Sequence, residues 1–133
     1  MKGRQNMLEQ DYIMRQIRQM IAIIMKVLFG IDTVTPESIA IIDLAKRAKS
    51  DWLIEEIDSG NIREAIAEFR AATENQTKDD LFIGFNFFSH LCSLDEDILD
   101  ANNISYAEVK DEMRAFFAKY GIENQLFDLI FFE

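Results

Sequence analysis

The chain is 133 residues long, 49% hydrophobic and 11% aromatic, with eleven phenylalanines, enough to build one core and too little for two domains. Such a composition excludes an intrinsically disordered chain, and five glycines and one proline are too few for a turn-rich all-β fold. The net charge of −10 opposes a phosphate backbone and so excludes nucleic acid as the expected partner.

The first helix is expected over about residues 5–29. Leu8, Tyr12, Ile13, Ile17, Met20, Ile21, Ile24 and Leu28 recur at intervals of three and four, the mark of one buried stripe. Its second half is apolar nearly all round and calls for cover from several neighbours. The uncharged run from Met20 is broken by Lys26 and falls short of the ~20 apolar residues of a bilayer span. Nor does it have the placement or cleavage site of a secretion signal, so a cytoplasmic protein is expected. Residues 1–30 hold five basic side chains (Lys2, Arg4, Arg15, Arg18 and Lys26) against Glu9 and Asp11, whereas the remainder holds nine basic and twenty-two acidic ones. A basic first helix would lie favourably against an acidic body, within a chain or between chains. Gly30 supplies the left-handed position that ends a helix.

Thr35-Pro36-Glu37 reads as a restart, with Thr35 capping and Pro36 at the first helical position. Ile39, Ile42, Ala45, Ala48, Leu53 and Ile57 could then lie along one helix to about Ser59, with a break near Ser50-Asp51 also compatible with the pattern. Gly60 closes it. Four further starts repeat one device, a capping side chain followed three residues later by an acid: Asn61 with Glu64, Thr77 with Asp80, Ser93 with Glu96, and Ser105 with Glu108. They open helices to about Glu74, Cys92, Ala101 and Tyr120, the last ended by Gly121. The tail from Ile122 crowds Leu126, Phe127, Leu129, Ile130, Phe131 and Phe132 into seven positions, which must be covered by the domain or by a second copy.

The run Gly60-Asn61-Ile62-Arg63-Glu64-Ala65-Ile66-Ala67-Glu68-Phe69-Arg70-Ala71-Ala72 resembles the turn and second helix of a tetratricopeptide repeat. Ala65, Phe69 and Ala72 stand at the small, aromatic and small positions through which paired helices approach. The match spans one hairpin of about residues 46–77. It departs from the repeat at Leu53, where a small residue belongs, and at Thr77, where proline is usual. The chain to about Ile122 also resembles a family of small helical proteins of Gram-positive bacteria without assigned activity. That likeness is carried by Asp11-Tyr12-Ile13-Met14-Arg15-Gln16-Ile17, by the Gly60–Phe69 hairpin and by Lys119-Tyr120-Gly121-Ile122. The resemblance implies an all-α fold and no particular function.

Candidate chemistry is sparse. His90 and Cys92 lie two apart, so on a helix they face away from each other and form no nucleophile–base pair. With Asp95 they fall short of a zinc set, and Cys92 reads as a core residue that forms no intrachain disulfide and suits a reducing cytosol. Asp95, Glu96, Asp97 and Asp100 lack the glycine of a calcium loop and read as acids complementing a helix start. The glycosylation patterns Asn75-Gln76-Thr77 and Asn103-Ile104-Ser105 coincide with helix caps. Acids such as Glu55, Glu56, Asp58, Glu64 and Glu68 have the spacing of solvated helix faces. Phe82, Phe85, Phe87, Phe88 and Leu91 mark either a central core helix or an apolar groove.

The expectation is therefore a single all-α domain over residues 1–133. It consists of antiparallel helix hairpins packed as a short tetratricopeptide-like bundle or superhelix of about six to eight helices, with an apolar tail at 122–133. The expected role is a non-catalytic protein–protein interaction module, a homodimer, with Arg15, Arg18, Ile21, Met25, Leu126, Phe127, Ile130 and Phe131 as the interaction surface. No catalytic residue, metal or cofactor is assigned. Two alternatives stand beside it: a small-molecule or peptide binder or carboxylate enzyme using a Phe-lined groove, and peripheral membrane attachment through the basic, apolar first helix.

Overall fold

The structure, a computed structural model, describes residues 2–30, 41 and 43–122, and in the first helix the side chains from residue 12 onward except 13, 14 and 28. Six helices account for the described secondary structure: α1 (Lys2–Phe29), α2 (Leu44–Asp58), α3 (Ile62–Ala72), α4 (Lys78–Cys92), α5 (Glu96–Ala101) and α6 (Tyr106–Ala118). The fold is an all-α bundle.

Each boundary has a local cause. Gly30, Gly60 and Gly121 adopt φ of 69°, 86° and 88°, the left-handed conformation that ends a helix at little cost only in glycine. Thr77 and Ser105 form full capping boxes. Thr77 Oγ1 accepts from Asp80 N at 3.1 Å, and Asp80 Oδ2 accepts from Thr77 N at 3.4 Å. The corresponding distances for Ser105 and Glu108 are 3.1 and 3.3 Å. Each box satisfies two otherwise orphaned N–H groups.

The other two expected boxes do not form. Asn61 precedes α3 but its side chain makes no cap; instead its Nδ2 donates to Glu56 Oε2 at 3.0 Å and seals the α2–α3 turn. Ser93 terminates α4, with helical φ and its hydroxyl donating to the His90 carbonyl at 2.6 Å. A residue already in the αR conformation cannot present the extended geometry of an N-cap, and Asp95 takes that position for α5. The second helix also starts later than the hydrophobic pattern indicates. Asp43 is extended and accepts from Lys46 N at 3.0 Å, so α2 begins at Leu44 and then runs unbroken through Ser50-Asp51. The Thr35-Pro36-Glu37 restart lies outside the described residues.

Helix α4 is the centre of the bundle, packed against α1, α2, α3 and α6. Leu81, Phe82, Ile83, Phe87, Phe88, Leu91 and Cys92 are buried on several of its faces. From α1 come Ile17, Met20, Ile21, Ile24 and Met25, one stripe at helical spacing. From α3 comes Phe69, whose ring stacks on Phe87 with centroids 4.3 Å apart and planes within 6°. Phe69 also meets Phe88 edge-on at 5.0 Å and Phe116 of α6 at 5.2 Å. Gly84 makes this approach feasible: a Cβ there would lie 2.3 Å from Cζ of Phe116, well inside contact distance. The glycine on α4 is thus a seat for an α6 ring.

Candidate functional site

Four places bring polar side chains together. The first is the start of α4, where Asp80 is fully buried and pairs with Lys46 Nζ of α2. Lys46 Nζ also donates to the Ala72 carbonyl at 3.4 Å, and Asp79 Oδ2 accepts from Asp43 N at 3.0 Å. From the end of α6, the Tyr120 hydroxyl donates to the Thr77 carbonyl at 2.8 Å. Burial, and then the nearby Asp80 carboxylate, push the Tyr120 hydroxyl pKa well above its ordinary value, so it stays a donor. Every group in this cluster is engaged in holding α2, α4 and α6 together. It is a structural clasp.

The second place is a concavity of about 400 Å³ between α2 and α4, lined by Ser50, Asp51, Ile54, Asn86, Ser89, His90 and Ser93. Asn86 Nδ2 donates to Ser50 Oγ at 3.4 Å, and at the rim His90 Nε2 meets Asp58 Oδ1 at 2.6 Å. Beside that pair, Ser89 Oγ is buried and has no hydrogen-bond partner among the described residues. An imidazole that does not reach a hydroxyl cannot serve it as a base. A third, smaller concavity of about 150 Å³ lies between α3 and α6, flanked by the Arg63–Glu108 and Arg70–Glu112 ion pairs. Phenylalanine lines neither concavity, since Phe82, Phe87 and Phe88 are inside the core.

His90 and Cys92 separate as their spacing indicates. His90 is half-buried at the edge of α4, whereas Cys92 is fully buried with its Sγ 3.9 Å from Met113 Sδ. Burial pushes the Cys92 thiol up to about 12, which leaves it protonated and inert near neutrality. Among the described residues, no group of three or more His, Cys, Asp or Glu side chains is placed to hold a metal ion. Nor is any described helix long and apolar enough to cross a membrane.

The fourth place is the surface of α1 and α2. Arg15 and Arg18 are exposed and make no ion pair among the described residues. Ile21 and Met25, expected on the same interaction surface, are instead fully buried in the chain's own core, because α4 lies against that stripe. They therefore leave the candidate surface. Leu126, Phe127, Ile130 and Phe131 lie outside the described residues. Opposite in charge is the outer face of α2, where Asp51 and Glu55 are exposed beside Leu44 and Trp52, the latter two 75% and 37% accessible. The sequence pattern does not mark this face as a whole, because it assigns Ala48 to the buried stripe of a longer helix.

No curated protein and no solved structure matches the chain. A family profile does, over residues 7–121, which takes in nearly all of α1 and every helix of the bundle. The chain belongs to a family of unknown function, DUF6483.

Proposed function

We propose that the protein is a non-catalytic protein–protein interaction module that associates with itself. The observation that carries this reading is that Arg15 and Arg18 are exposed on the outer side of α1 and make no ion pair among the described residues. In a chain with ten more negative than positive charges, the arginines of the body find partners. Arg63, Arg70 and Arg114 pair with carboxylates, and Arg47 donates to the Ile41 carbonyl at 2.7 Å. Two exposed cations without an ion pair among the described residues are suited to a second molecule. The α2–α3 hairpin supports a tetratricopeptide-like element within this module, with Ala65 and Phe69 buried where such hairpins pack. The single, buried cysteine suits a reducing cytosol.

Sedimentation velocity over a micromolar concentration series tests the reading. A concentration-dependent dimer is expected, and a monomer throughout would overturn it. A second reading, a binder of a small polar ligand, is favoured by one observation, the Ser50–Asn86–His90 concavity between α2 and α4. A rise in thermal midpoint with a hydrogen-bonding small molecule, lost in Asn86→Leu, would support it.

A further inference from the structure

We infer that the partner surface for the arginine edge of α1 is the acidic outer face of α2 in a second copy of this chain, exchanged reciprocally about a two-fold axis. This inference rests on the self-association reading and names the surfaces it uses. Three observations carry it.

The first is charge. Arg15 and Arg18 on α1, and Asp51 and Glu55 on α2, are exposed and without ion pairs among the described residues. The second is spacing. Arg15 and Arg18 are separated by about 4.5 Å along the axis of α1, and Asp51 and Glu55 by about 6 Å along that of α2. Long arginine side chains bridge that difference readily and offer forked donors to each carboxylate. The third is the apolar margin. Leu44, Ala48 and Trp52 are exposed beside the two acids, and Trp52 already carries Lys49 Nζ 4.6 Å from its ring centroid. A face of this kind, half acidic and half apolar with an indole, accepts the flank of an arginine-bearing helix.

Within one copy α1 and α2 both pack against α4. α1 is held to its own body through α4 by a stripe from Ile17 to Met25. Its 28 residues span about 42 Å, against about 22 Å for the 15 residues of α4. Arg15 and Arg18 are exposed outside that stripe. Two copies related by a two-fold axis then satisfy both arginine edges with both acidic faces.

Charge reversal tests the pairing. Sedimentation velocity is run on the wild type, on Arg15→Glu with Arg18→Glu, on Asp51→Lys with Glu55→Lys, and on an equimolar mixture of the two variants. Each variant alone is expected to dimerise at least tenfold more weakly, while the mixture recovers a dimer, because both crossed contacts become attractive. Circular dichroism checks that the variants are folded, and the neutral pair Arg15→Gln with Arg18→Gln gives a milder form of the same loss. Dimers of wild-type affinity in both reversed variants would overturn these surfaces and leave self-association standing. Two weakened variants that do not recover on mixing would show that the patches do not meet each other. A wild type that remains a monomer would remove the self-association reading and this inference together.

Discussion

α1 and α4 are both rich in apolar residues, yet they make opposite use of them. α4 has 15 residues and is covered by four other helices, and its first turn is clasped by Lys46, Asp43 and Tyr120. α1 has 28 residues, is seated on the bundle through α4, and carries Arg15 and Arg18 exposed and without an ion pair among the described residues. The difference separates two kinds of residue. Those around α4 hold the bundle together, whereas Arg15 and Arg18 make no ion pair within a single copy among the described residues.

Substitutions can break this contrast or sharpen it. The largest effect is expected at Phe69, whose ring contacts Phe87, Phe88 and Phe116 together. Phe69→Ala should cost about 3–5 kcal/mol of stability by urea unfolding, because it opens a cavity against the central helix. Lys46→Ala leaves the fully buried Asp80 carboxylate without its cation and should cost about 3 kcal/mol, far more than loss of a surface lysine. At Gly84 a larger side chain meets the Phe116 ring, so Gly84→Val should lower stability by about 2 kcal/mol through overpacking. Thr77→Ala removes a formed capping box and should cost about 1 kcal/mol, whereas Asn61→Ala, where no cap exists, should cost less. At the bottom of the scale, Arg15→Ala with Arg18→Ala should change the unfolding free energy of the isolated chain by no more than about 0.5 kcal/mol. A large loss there would erase the distinction between the two helices.

The capping motifs show how far local reading reaches. Thr77 and Ser105 stand after turns with extended backbone, so their boxes close as written. Asn61 and Ser93 have the same residue pattern, but one follows a turn that draws its amide back to Glu56 and the other is held in the last turn of α4. A four-residue pattern encodes the bonding capacity of the side chain. The backbone conformation on which that capacity depends comes from the preceding helix. Asp43 is the converse case, a working cap hidden between Ile42 and Leu44, where the apolar period seemed to run on.

The candidate surface was legible only in part for a related reason. Periodicity placed Arg15, Arg18, Ile21 and Met25 on one helix, with Ile21 in its apolar stripe, but did not say whether α4 or a second copy would cover that stripe. Once Ile21 and Met25 went inward, Arg15 and Arg18 were what remained exposed of that surface among the described residues. By itself the sequence determined that this chain is helical and where most helices stop, because period, glycine and caps act within a few residues of each other. Only tertiary packing decided that Asp80 would meet Lys46 and that Gly84 would seat Phe116. Those outcomes depend on which helix faces come together, and a contact between positions tens of residues apart leaves no mark in the spacing of either segment.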